Sequence, residues 1–193
     1  MAATSISCPP RAPQGGTTRL SSRTARRSLA VLAGSLVLAA SAHIAVPGFP
    51  VPTTMQSLAV PALGMALGSR LGVASVLLYL AEGALGLPVF ANFSSSLAHL
   101  AGPTGGYLIS FVPAAWLAGR LAEAGWRQGL VRPFLVYGLD HCVILAMGAA
   151  WLAFFVGASQ ALVLGVLPFV AGSVVKSMLG AAAGRAIAPF IRG

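Results

Sequence analysis

Charge is what this chain has least of. Charged residues make up 8% of its 193 residues, against about 25% in an ordinary soluble domain. A soluble chain of 19.5 kDa must cover its surface with polar groups, and too few are present here. Acids are scarcest: Glu82, Glu123 and Asp140 stand against 12 Lys+Arg, for a net charge of +9. Lysine occurs once, as Lys176. The two cysteines, Cys8 and Cys142, provide neither a framework of bridges nor a metal-ligand spacing, and read as unrelated free thiols. Disorder is excluded for the opposite reason, because 57% of the residues are hydrophobic.

What is present is a series of long apolar runs without period-2 alternation, the signature of membrane helices rather than strands. The predicted fold class is all-α, an integral membrane protein with six transmembrane helices. The runs are Leu29–Val46, Ser57–Gly68, Leu71–Leu87, Pro103–Leu121, Pro133–Phe155 and about Pro168–Ile191. The second run has 12 residues and reaches only ~18 Å, short of a ~30 Å hydrocarbon core. Segments this short either mark a binding site or borrow flanking residues to cross. Residues 157–167 read as a connection with a short interfacial turn.

Residues 1–28 form a separate region, rich in Arg, Ser and Pro and without an acid. They read as a disordered basic tail on the cytoplasmic face, with a membrane domain over 29–193. A transit peptide has the same composition, and Arg26-Arg27 before an apolar run mimics a twin-arginine signal. The tail carries Arg11, Arg19, Arg23, Arg26 and Arg27. Arg70, Arg120, Arg127, Arg132, Arg185 and Arg192 follow in alternate connections, and the intervening connections 47–56, 88–102 and 157–167 carry no cation. This asymmetry places both termini in the cytoplasm. The cations lie in short connections and form no stripe on a folded face, so nucleic acid is not an expected partner.

Lys176 is the exception, eight residues into the last run and so ~12 Å below its outer end. A charge there costs about 2.5–3.5 kcal/mol on insertion scales, which points to a pocket lysine. Its candidate partners are an acid, Glu82 being at comparable depth, or an anionic ligand. No enzyme signature accompanies it. The residues before Lys176 do not form a phosphate loop. Asp140 and His141 are adjacent and so diverge on a helix, reading as satisfied core residues. His43 and His99 lack further metal ligands. The glycine-rich turn Gly102–Tyr107 has no preceding strand and suits a close backbone approach to a ligand or a helix.

Four stretches carry a family resemblance. Pro52-Thr-Thr-Met-Gln56, Gly83-Ala-Leu-Gly-Leu-Pro-Val-Phe-Ala91, Gly102-Pro-Thr-Gly-Gly-Tyr107 and Pro168-Phe-Val-Ala-Gly-Ser-Val-Val-Lys176 resemble, in order and spacing, the BioY family. Members of that family are biotin-binding S components of energy-coupling factor (ECF) transporters. The resemblance covers about residues 29–193. It implies six membrane helices, biotin bound near the extracellular side, no cofactor, and a complex with a membrane coupling protein and two ATPase subunits. It further implies a bacterial plasma membrane location with lipid contact, or an organelle membrane if the tail is a transit peptide. The family's Asp-x-x-Lys pair falls on Ser173 and Lys176, so the lysine matches and the acid does not. A ligand-contacting Asn falls on Asn92. Tyr107 ends the glycine-rich motif, and Thr53 and Gln56 match the first connection. These residues, with Lys176 for a carboxylate and Asn92 and Ser173 for a ureido edge, form the expected site. The first helix also carries Ala30/Gly34 and Ser35/Ala39, small residues four apart that resemble the docking face of S components. The rival expectations are an S component for another small carboxylate vitamin or a biotin precursor, a membrane enzyme, and a helix-organising protein.

Overall fold

The computed structural model describes the backbone of residues 16–46, 48 and 51–191, with side chains for 22–46, 48 and 51–185. Cys8, Arg11, Arg192 and Pro47 lie outside the described residues, as does the side chain of Arg19. The described residues are mostly helical: α1 (Gly16–His43), α2 (Gln56–Leu67), α3 (Ser69–Ala84), α4 (Leu97–Ala101), α5 (Gly105–Leu121), α6 (Val131–Val156), α7 (Ala158–Gly165) and α8 (Leu167–Ile191). Two strands of two residues, β1 (Ala45–Val46) and β2 (Thr53–Thr54), pair antiparallel in the connection after α1, with Ala45 opposite Thr54. Among the described residues, three helical stretches are long and apolar enough to cross a membrane: Ser22–His43, Val131–Val156 and Ala158–Arg185. Large apolar side chains stand exposed along them, Leu36 at 67% and Met178 at 58%. Lipid, not water, is the solvent that such a surface suits.

The six apolar runs become α1, α2, α3, α5, α6 and α8. Two expectations are corrected. The tail is not disordered up to residue 28, because α1 starts at Gly16. Its last proline is Pro13, and no glycine or proline interrupts Thr17–Ala33, so the helix extends back from the apolar run. Residues 158–165 form the helix α7, not an interfacial turn. Gly157, at φ 84°, turns the chain out of α6 so that α7 packs back against it. At Val166 the backbone departs from helical geometry before Pro168, which has no N–H to donate.

α5 sits at the centre, packed against α2, α3 and α6. Its small buried residues Ala114, Ala115 and Ala118 let neighbouring backbones close in. Gly119 lies so near the backbone of Ser69 that a Cβ there would collide with it. At this end of the bundle Glu123 caps α3, accepting hydrogen bonds from the Ser69 N–H at 2.8 Å and the Ser69 hydroxyl at 2.9 Å. Those bonds, the backbone one foremost, hold the Glu123 carboxyl below the usual carboxylate range, with Arg120 at 3.6 Å assisting.

Of the paired small residues on α1, Ala30 and Ala39 are half-buried, while Gly34 and Ser35 turn inward. Gly34 and Ser35 are buried against α3. A Cβ at Gly34 would meet the Ser75 side chain, and Ser35 donates to Glu82 at 3.1 Å. The face that α1 presents outward holds Leu29, Leu32, Leu36 and Val37 together with Ala33 and Ala40.

Candidate functional site

The connections after α1 and α3 meet α8 at one end of the bundle, and side-chain hydrogen bonds join them. Lys176 on α8 donates to the backbone carbonyl of Thr54 at 2.6 Å and to the Ser57 hydroxyl at 3.0 Å. Thr54 donates to Gln56 Oε1 at 3.1 Å, Gln56 Nε2 donates to the Tyr79 hydroxyl at 2.7 Å, and Tyr79 donates to the carbonyl of Val89 at 3.2 Å. One chain of bonds thus runs from the last helix through the first connection to the second. No acid touches Lys176 among the described residues, and Glu82 serves Ser35 instead. A carbonyl and a hydroxyl satisfy two of the three ammonium donors.

Two small cavities, each of about 50 Å³, flank the strand β2. Ser57, His141, Phe169, Ser173 and Lys176 line the first. Gln56, Phe90, His99 and Thr104 line the second. Val51, Pro52, Thr54, Tyr107 and Phe111 border both, so the first connection is the partition between them. Each has room for only a few waters. A larger groove of about 590 Å³ between α6, α7 and α8 is walled by alanines and aliphatic side chains with Cys142. It offers no polar group that could orient a ligand.

The expected site residues divide. Lys176, Ser173 and Tyr107 come together at the first cavity. Gln56 is 2% exposed and lines only the second, with its amide engaged by Thr54 and Tyr79. Asn92 is exposed and borders neither cavity. It sits at φ 57°, a left-handed conformation that Asn tolerates better than most residues, beside Phe93 at the same φ. Thr53 pairs with Val46 in the small sheet and lines neither cavity.

Tyr107 has a second task. Its hydroxyl donates to the Gly165 carbonyl at 2.8 Å. In a regular helix that carbonyl would accept from Phe169, whose N–H instead bonds Val166 at 2.9 Å across the break. The tyrosine replaces the donor that the α7–α8 break removes. The turn of Gly102–Tyr107 serves contacts within the protein. A Cβ at Gly105 would strike the Leu100 carbonyl, and one at Gly106 the base of the Trp151 side chain. Phe90, fully buried, lies beneath Gly83 and against Tyr79 and His99, which anchors the second connection. His99 Nε2 lies 3.3 Å from both Ser94 and Thr104, and burial pushes the imidazole below its usual pKa.

The residue that sequence reasoning missed is His141. It is 4% exposed, and its Nδ1 lies 2.7 Å from the Tyr137 carbonyl, while Nε2 has no partner among the described residues. Both oxygens of the fully buried Asp140 also lack one, so the pair are not satisfied core residues. Only the packing of α6 on α8 brings His141 beside Ser177 and the cavity.

Comparison with known proteins agrees with this architecture. A probable biotin transporter BioY of Pyrococcus horikoshii is 46% identical over 136 residues, covering 70% of this chain and 80% of the relative. The biotin transporter BioY2 of Lactococcus lactis is 37% identical, covering 79% and 85%. The crystal structure of an S component for biotin from an ECF-type ABC transporter superposes with a TM-score of 0.78 at 24% identity, over 87% of this chain and 93% of that one, which fixes the fold. The BioY family model matches residues 16–193, so the likeness begins with the basic start of α1 and not at residue 29. A match over nearly the whole described chain, with relatives covered along most of their length, establishes that this chain belongs to the BioY family.

Proposed function

We propose that this chain captures biotin as the S component of an ECF-type transporter in a bacterial plasma membrane, and passes it inward without chemistry of its own. The observation that carries this reading is Lys176, the single lysine, held in a cavity with Tyr107, Phe111 and Phe169 as apolar walls. Relatives named as biotin transporters supply the ligand. Biotin combines a carboxylate, an apolar sulfur ring and a ureido group with two N–H donors and a carbonyl. The carboxylate goes to Lys176 and the ring to the aromatic wall, with Ser173 and Tyr107 completing the contact. Gln56 holds the first connection in place and Asn92 shapes the second.

Cavities of about 50 Å³ do not admit a bicyclic ring. Binding therefore exchanges the Lys176–Thr54 bond for one to the carboxylate and withdraws the first connection, which merges the two spaces. α1, α2, α3, α5, α6 and the α7–α8 pair make the six crossings, with the cavity end outward and both termini cytoplasmic. Arg70, Arg120, Arg127 and Arg132, at the helix ends away from the cavity, support that orientation. A membrane coupling protein and two cytoplasmic ATPases then drive release.

The test is titration calorimetry of the purified protein with biotin and with biotin amide. Lys176→Ala should weaken biotin at least tenfold, about 1.4 kcal/mol. Amidation should cost the wild type a similar factor and cost Lys176→Ala little more. Losses that simply add would separate Lys176 from the carboxylate, and absence of biotin binding would overturn the reading.

A further inference from the structure

The ligand's N–H donors need acceptors, and the first cavity has few. Lys176 is a donor, and it already occupies the Thr54 carbonyl and the Ser57 hydroxyl. The Ser173 carbonyl is taken by the Ser177 hydroxyl at 2.7 Å. Besides the Ser173 hydroxyl, the candidate is His141, which lines this cavity and whose ring nitrogen Nε2 is shut from solvent with no partner among the described residues.

Its tautomer follows from the other nitrogen. The Tyr137 carbonyl, 2.7 Å from Nδ1, can only accept. Ser177, 3.4 Å from Nδ1, has given its own hydrogen to Ser173 and so also stands as an acceptor. Nδ1 must therefore carry the proton, which leaves Nε2 with an in-plane lone pair and no hydrogen. An acceptor held this way is pre-oriented, because the Nδ1 bond fixes the ring. Its burial makes the missing bond costly in the empty site, and a ligand N–H removes that cost.

We infer that His141 Nε2 is a ligand-specificity contact of this cavity, accepting an N–H of the bound molecule. For biotin this is a ureido N–H. The inference rests on the biotin reading and deepens it. Lys176 would then recognise the acidic end of the ligand and His141 a donor at the ring, so a molecule with only one of the two features is rejected.

The experiment uses the whole wild-type protein labelled with ¹⁵N-histidine, observed by NMR in detergent. Three histidines give three ring spectra, and His43→Gln and His99→Gln assign the remaining one to His141. The empty protein should show an unprotonated Nε2 on His141, and saturation with biotin should move that resonance upfield, as acceptance of a hydrogen bond does. Titration calorimetry on the same sample establishes that biotin is bound. Binding without a shift of Nε2, or an Nε2 already protonated in the empty protein, overturns the inference and leaves the biotin reading intact. Absence of binding overturns the biotin reading first. As a second measurement, His141→Leu should weaken biotin about tenfold or more, and His141→Gln, whose side-chain oxygen reaches the Nε2 position, should recover most of it. N-methylation of the ureido nitrogen that His141 meets should cost the wild type a similar factor and His141→Leu little further. Unchanged affinity in a folded His141→Leu protein, or additive losses for both N-methyl isomers, overturns the inference as well.

Discussion

Tyr107 shows how one side chain can belong to the site and to the scaffold at once. Its ring borders both cavities, while its hydroxyl replaces a helical donor at Gly165. Tyr107→Phe keeps the ring and strands the carbonyl, a loss of about 1–3 kcal/mol. The expected outcome is a clearly lower melting temperature with biotin affinity changed by less than about threefold. Lys176→Ala should do the reverse, and thermal melts beside titrations separate the two. His99 makes a pH prediction at the same scale. Burial lowers its pKa in the folded protein, so between that value and the ordinary 6.5 the unfolded chain binds a proton that the folded one refuses. Stability should therefore fall as pH drops below about 6.5, and His99→Gln should flatten that part of the profile. An unchanged slope in the variant would assign the acid sensitivity elsewhere.

The helices are positioned by close approaches that leave no room for larger side chains. Gly34→Leu puts a side chain into the space occupied by Ser75 and forces α1 from α3. Overpacking of this kind costs about 1–3 kcal/mol. Leu36→Ala, on the exposed face of the same helix, should leave the melting temperature near that of the wild type. At the start of α3, Glu123 satisfies a helix-start N–H that would otherwise lack a partner. Its depressed pKa means that this contribution is present at neutral pH and lost as pH falls through the folded value. Glu123→Gln should melt below the wild type at neutral pH, and the gap should close in acid. A gap that persists at low pH would show that the carboxylate charge is not what caps the helix.

For the whole molecule the decisive question is which end faces out. In a background with Cys8→Ser and Cys142→Ala, Leu97→Cys lies at the cavity end, where the native side chain is 71% exposed. Arg127→Cys lies at the opposite end. An impermeant thiol reagent added to intact cells should label the first and spare the second, and the reverse pattern would invert the orientation. Labelling at position 97 should also respond to biotin, since the second connection is tied to Lys176 through Tyr79, Gln56 and Thr54.

Composition was enough to establish a helical membrane chain, because a sequence with 8% charge can fold only where its apolar runs meet lipid. The runs located α1, α2, α3, α5, α6 and α8, and the isolated charge of Lys176 marked the cavity, since a lone ammonium in an apolar helix requires a partner. That partner was not legible. It proved to be the Thr54 carbonyl, far away in sequence, and backbone acceptors leave no trace in residue identity. Periodicity also could not separate α7 from a turn, because Gly157 and Pro168 punctuate the chain there in either case. Asn92 and Gln56 entered the expected site through the family resemblance, which does not give their surroundings: the fold engages Gln56 in a hydrogen-bonded chain and leaves Asn92 exposed. His141 looked like core and stands at the cavity. Hydropathy along the chain decides which segments leave water, but the rotation of each helix about its axis decides which polar atoms face one another. That rotation is set by Gly34 against Ser75, Gly119 against Ser69 and α6 against α8, contacts that exist only once the helices are packed.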